Sequence, residues 1–109
     1  MKPFKEAEGY AADLQAAYDY YKVYSVQTAE RFLTAYQDAM EILQPRPRIC
    51  RPRRNDWRQM IIHDYPNYSI FYKELSFCWL LAGVIPTVRD PDVIQARLLL
   101  REVVEEKTG

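Results

Sequence analysis

The apolar residues of this chain keep a helical spacing as far as Pro45 and Pro47, and a strand spacing after the arginine-rich segment that follows. This one change of period divides the chain into a helical part and a sheet part, and it limits the fold more than composition does. Before the change, Tyr10, Leu14, Ala17 and Tyr21 recur at intervals of four, three and four, which makes one helix face. Ala29, Phe32, Leu33, Tyr36, Met40 and Leu43 make a second, cleaner face. Ser25 lies between them and is placed to cap the second helix by accepting an early backbone N–H. Pro45 and Pro47 end that helix, because neither can donate to a helical hydrogen bond. Two helices joined by about three residues pack as antiparallel neighbours.

After the change, "WRQMIIH" (Trp57 to His63), "YSIFYKEL" (Tyr68 to Leu75) and "SFCWLLAGVI" (Ser76 to Ile85) are rich in β-branched and aromatic residues. "DYPNY" supplies a turn between the first two, and the short junction near Lys73–Ser76 serves as a hairpin. Pro86 stops the last strand, and Asp90-Pro91 opens a further helix, with Asp90 as its cap and Pro91 where a missing N–H costs nothing. Val93, Ile94, Leu98 and Leu99 give that helix an apolar side. A short stretch around Phe4 is a weak candidate for a first strand. The predicted architecture is one α+β domain over residues 1–109. It has an antiparallel sheet (a weak N-terminal strand plus a three-strand meander), an N-terminal helical hairpin packed on one sheet face, and a C-terminal helix.

Charge is where composition enters. The chain has 15 basic and 15 acidic side chains, yet "RPRICRPRRNDWR" (Arg46 to Arg58) alone holds six arginines against one aspartate. The segments on either side are net acidic, so the cluster is a local feature and not the mark of a basic nucleic-acid binder. Cys50 and Cys78 have no metal-ligand spacing and read as reduced thiols. Arginines around Cys50 favour a reactive thiolate, although an incidental loop thiol is the plainer reading. The N-terminus lacks an apolar signal region, and the longest apolar run, Phe77 to Ile85, is too short to cross a bilayer. The expected setting is the cytoplasm, with no membrane partner.

Four stretches together resemble the RelE/ParE superfamily of bacterial type II toxin–antitoxin systems, and more closely its ParE-like, plasmid-stabilisation branch. "YAADLQAAYDYY" (Tyr10 to Tyr21) is similar to the family's first helix, and "AERFLTAYQDAMEILQPRP" (Ala29 to Pro47) to its second. "RQMIIHDYPNYSIFY" (Arg58 to Tyr72) resembles its arginine, apolar strand, turn and Ile-x-Tyr strand. "VIPTVRDPDVIQAR" (Val84 to Arg97) resembles the end of its last strand. The resemblance implies a compact toxin held inactive by an antitoxin from the adjacent gene. In the ParE branch the target is DNA gyrase; in the RelE branch the toxin cleaves messenger RNA on the ribosome.

Ribonuclease chemistry without a metal needs a group to activate the 2′-hydroxyl, cations for the phosphate, and an acid for the leaving oxygen. Arg58 and Arg89, at family-like positions, can each fork onto a phosphate, and His63 is of the residue type best suited to acid–base catalysis. His63 precedes the turn and does not lie in the last strand, so a half-buried structural histidine is the plainer reading. The second strand has no lysine, and no Tyr or His follows Arg89 before the final helix. Arg58, His63 and Arg89 thus form an incomplete catalytic set, which favours gyrase over messenger RNA. Ion pairing is an equal alternative for Arg89, which Asp90 and Asp92 follow. No metal site, phosphate loop or nucleophile elbow is present in the sequence, so neither a metal nor a small-molecule cofactor is expected.

The candidate partner-binding residues are Arg51, Arg53, Arg54, Arg58 and Arg89. A solvated loop, a nucleic acid and the acidic part of an antitoxin are the three readings of this cluster. Tyr18, Tyr20, Tyr21, Tyr24 and Tyr36 read as core and helix–helix contacts. Tyr68, Phe71, Tyr72 and Trp79, on the strands, leave a base-stacking face open as an alternative. A degenerate, harmless binding module is the third functional alternative.

Overall fold

A computed structural model describes residues 2–87 and 90–108, and for 102–108 the backbone alone. Strand β1 (Phe4–Glu6) leads into helices α1 (Tyr10–Lys22) and α2 (Val26–Leu43). Strands β2 (Arg58–Ile61), β3 (Tyr68–Glu74) and β4 (Trp79–Pro86) follow, and helix α3 (Pro91–Thr108) ends the chain. The expected caps form. The Ser25 hydroxyl accepts from the Thr28 N–H at 2.9 Å, and the Asp90 carboxylate accepts from the Asp92 N–H at 2.8 Å. Gly9 starts α1 with φ at 92°, a left-handed conformation that a side chain would oppose.

The sheet runs β1-β4-β3-β2 and is mixed, not antiparallel throughout. The meander is antiparallel as expected, but β1 lies parallel to β4, pairing Phe4 with Trp79 and Glu6 with Leu81. Three residues carry no signal of direction. The long crossover through both helices permits the parallel neighbour, which a tight hairpin would forbid. The last strand also starts at Trp79, later than the sequence predicts, because a backbone bond from Leu75 N–H to Cys78 C=O (2.8 Å) closes the hairpin first.

Helices cover both sheet faces, not one. On the first face Tyr10, Ala17, Tyr21, Phe32 and Leu43 of the hairpin meet Ile70, Tyr72, Trp79, Leu81 and Val84. On the second, Ile94 and Leu98 of α3 meet Trp57, Phe71, Leu80, Ala82 and Ile85. Strand residues alternate between the clusters, which is why β3 and β4 are buried along nearly their whole length. Val93 and Leu99, expected on the apolar side of α3, face outward. The alternation slips once. Phe71 pairs with Gly83 and Tyr72 with Leu81, so Ala82 is the extra residue of a bulge.

Tyr21, Phe32, Tyr65 and Tyr68 pack ring against ring where the hairpin meets the β2–β3 turn, with centroids 4.9 to 6.0 Å apart. The Tyr10 and Tyr36 hydroxyls share a hydrogen bond of 2.6 Å between α1 and α2. The helical tyrosines therefore serve largely as expected, except that Tyr20 and Tyr24 stand exposed at the hairpin end.

Candidate functional site

The arginine-rich segment is held by the strands it precedes. It opens with a 3₁₀ turn at Pro47–Ile49, whose Pro47 carbonyl accepts the Tyr72 hydroxyl at 2.7 Å. Burial of Tyr72 pushes its phenol pKa up, which keeps it a donor. Just past that turn's end the Cys50 carbonyl accepts from Arg58 Nη1 at 2.6 Å. Two strand side chains thus fix the backbone of residues 47–50. The second half ends in a tight turn, with Asn55 and Asp56 both left-handed (φ 58° and 66°). Arg54 pairs with Asp92 at 2.8 Å and Asn55 bonds Gln95 at 3.0 Å, which ties this half to α3.

The arginines consequently part company. Arg58, half-buried at the start of β2, lies 5.4 Å from the Trp79 ring, and Arg48 lies 5.5 Å from the same ring. Arg48 also reaches Glu74 Oε2 at 2.7 Å, and Lys2 reaches that same oxygen at 2.7 Å. The Lys2 hydrogen bond, helped by Arg48 and Arg58, holds the Glu74 carboxyl below its ordinary pKa against partial desolvation. Arg51 and Arg53 are exposed and make no ion pair among the described residues. Arg89 lies outside the described residues.

His63 is not half-buried. Its side chain is 94% exposed beyond the end of β2, 3.5 Å from Asp64. The strand stops at Ile61, Ile62 turns into the core, and Asp64 takes a left-handed turn conformation, so His63 is left in solvent. Arg58 and His63 are placed at opposite ends of β2, with roughly 10 Å of strand between them. The strand aromatics Tyr68, Phe71, Tyr72 and Trp79 are all buried, which removes the base-stacking face.

Sequence reasoning missed two groups. Lys2, Glu74 and Trp79 meet only because β1 and β3 flank β4, a neighbourhood with no local signature. The other group is Asp13, buried and bonded to Arg97 at 3.1 Å and Arg101 at 3.0 Å. Here a signal existed: Asp13 falls between Tyr10 and Ala17 on the buried stripe of α1, where a lone carboxylate needs a partner. Among the described residues no cluster of His, Cys, Asp and Glu could hold a metal, and no helix is long and apolar enough to cross a membrane.

The geometry can be set beside known proteins. A solved structure described as "Chromosomal ParDE TA system from P. aeruginosa" contains a chain of the same fold. The two are 24% identical and superpose with a TM-score of 0.62 over 79% of this chain and 96% of that one. None of the curated proteins matches. Residues 7–80, from just before α1 into the start of β4, match the family model described as ParE toxin of type II toxin-antitoxin system, parDE. On that match, the chain belongs to the ParE toxin family of type II toxin–antitoxin systems.

Proposed function

We propose that residues 1–109 form a single cytoplasmic toxin domain that arrests growth by binding DNA gyrase, and that an antitoxin encoded next to it holds it inactive. The family match over residues 7–80 carries this reading. The placement of Arg58 and His63 supports it against the messenger-RNA alternative. Cleavage needs its base, acid and cations around one phosphate. Arg58 is committed to the Cys50 carbonyl and Trp79, while His63 stands in solvent past the far end of β2. On this reading the toxin acts by protein contact and is not a hydrolase, and plasmid stabilisation is a role open to such a module.

Induced expression without the neighbouring gene is expected to halt growth, and the purified chain to inhibit gyrase supercoiling. Co-expression of the neighbouring gene restores growth. Normal supercoiling together with cleavage of messenger RNA on the ribosome would replace this reading by the RelE-like one.

A further inference from the structure

Lys2 and Arg48 converge on a single carboxylate oxygen of Glu74 at the edge of a concavity of about 650 Å³. Lys2, Arg46 and Arg48 line it together with the apolar Pro45, Ile49 and Trp79. Resting on the antitoxin reading above, we propose that this concavity seats an acidic amphipathic segment of the antitoxin. A carboxylate of that segment enters between Lys2, Arg46 and Arg48, and an apolar side chain lies against Pro45 and Ile49.

Charge complementarity argues for a carboxylate. Lys2, Arg46 and Arg48 all line the concavity, and Glu74 answers only part of their charge, so a second anion finds unbalanced positive charge here. The site already forms carboxylate geometry, because one Glu74 oxygen takes Lys2 Nζ and Arg48 Nη2 at 2.7 Å each. Its walls are set in advance. The 3₁₀ turn that carries Arg48 is tied by Arg46 C=O to Ile49 N–H (3.0 Å) and by Pro47 C=O to the Tyr72 hydroxyl (2.7 Å). Little ordering is then left to occur on binding.

The same surroundings argue against a nucleic acid. Stacking needs an open aromatic face, and Trp79 is only 2% exposed, with two guanidinium groups near its ring. Ile49, by contrast, is 50% exposed and presents apolar surface that a phosphate chain cannot use. A chain of zero formal net charge also lacks the overall basic character of a typical nucleic-acid binder.

The test uses the whole chain, isotope-labelled, titrated by NMR with a short synthetic peptide of glutamate and leucine, and separately with oligothymidylate. Shifts are expected at Lys2, at residues 46–49 and at the Trp79 indole N–H. Arg46→Glu/Arg48→Glu should weaken the peptide by roughly tenfold or more, whereas Arg51→Glu/Arg53→Glu should stay within about twofold. Arg46→Gln/Arg48→Gln removes the charge without reversing it and guards against disturbance of the Glu74 contact. Absence of peptide shifts, equal loss in the Arg51/Arg53 variant, or oligothymidylate displacing the peptide from these residues overturns the assignment. Neither growth nor supercoiling enters this readout, so the site and the gyrase reading stand or fall separately. In a second arm, the protein of the adjacent reading frame should lose affinity for the same Arg46/Arg48 variants. Undiminished binding there overturns the site, and no binding to the unaltered chain overturns the antitoxin reading instead.

Discussion

Asp13 and Arg101 stand 88 residues apart along the chain and 3.0 Å apart in the fold, where they join the first helix to the last. Arg101 also donates to the Ala82 carbonyl at the sheet bulge and a second time to Asp13 at 3.2 Å, and Arg97 adds a third bond to Asp13 at 3.1 Å. The carboxylate is 7% exposed, Arg101 15% and Arg97 36%. These exposures rank the partners. Asp13→Ala leaves the largely buried Arg101 without its counter-charge and should cost about 3 kcal/mol of stability. Arg97→Ala removes only a solvent-screened bond and should cost less than about 1 kcal/mol. Urea unfolding of both variants checks the ranking, and equal losses would refute it.

Gly83 is required by that same ion group. A Cβ on Gly83 would stand 2.7 Å from Asp13 Oδ2 and 3.2 Å from Arg101 Nη1, and the carboxylate it meets is pinned by two arginines. Gly83→Ala is therefore expected to destabilise by about 1–3 kcal/mol through overpacking. In the Asp13→Ala background, where the obstructing oxygens are gone, its added cost should fall well below that. The double-mutant cycle reads this coupling directly, and strict additivity would show that the bulge, not Asp13, demands the glycine.

How much of this the sequence revealed depends on the range of the interaction. Ser25 and Asp90 cap their helices through bonds spanning two or three residues, so spacing and residue type were enough to place them. The burial stripes of α1 and α2 were legible because a helix repeats its period many times, and the family resemblance followed the same local patterns. The direction of β1 was not legible, because three residues repeat nothing. His63 was misplaced for a related reason: an apolar run shows where a strand lies but not which residue already belongs to the turn. The meeting of Lys2 with Glu74 and of Asp13 with Arg101 depends on strand order and on α3 crossing the second face, neither of which any short window encodes. The arginine cluster was visible at once, yet its division into Arg48 and Arg58 on one side and Arg54 on the other needed the fold.

The buried phenols make stability fall at high pH. Burial, with neighbouring tyrosines adding to it, pushes the Tyr21 pKa from 10.0 up to about 12, and burial raises Tyr10 and Tyr72 as well. A folded-state pKa above the unfolded value means that the stabilisation is complete below pH 10.0 and is lost as pH rises through the folded value. Absorbance titration should then resolve two classes of tyrosine, with the buried class ionising only as the fold opens. Tyr21→Phe should move the alkaline unfolding midpoint upward. A single titration at the ordinary tyrosine value with the fold intact would contradict this.

Arg58 is the arginine whose removal distinguishes a positioning residue from a catalytic one. Its guanidinium donates to the Cys50 carbonyl at 2.6 Å and lies over the Trp79 ring, 5.4 Å from its centroid, so Arg58→Ala leaves that carbonyl without its donor and the ring face less covered. A hydrogen bond with one charged partner contributes about 2 kcal/mol, and most of that loss should fall on the segment it anchors. Amide exchange in residues 47–54 should therefore quicken, and trypsin should cut faster after Arg48, Arg53 and Arg54. Arg51 is followed by Pro52 and stays resistant in either protein, which supplies an internal control. Tyr72→Phe removes the companion bond to Pro47 and should loosen the same segment by about 1 kcal/mol, half the Arg58 effect. Had Arg58 served only to meet a phosphate, its loss would leave exchange and proteolysis of this segment unchanged and would show itself in activity alone.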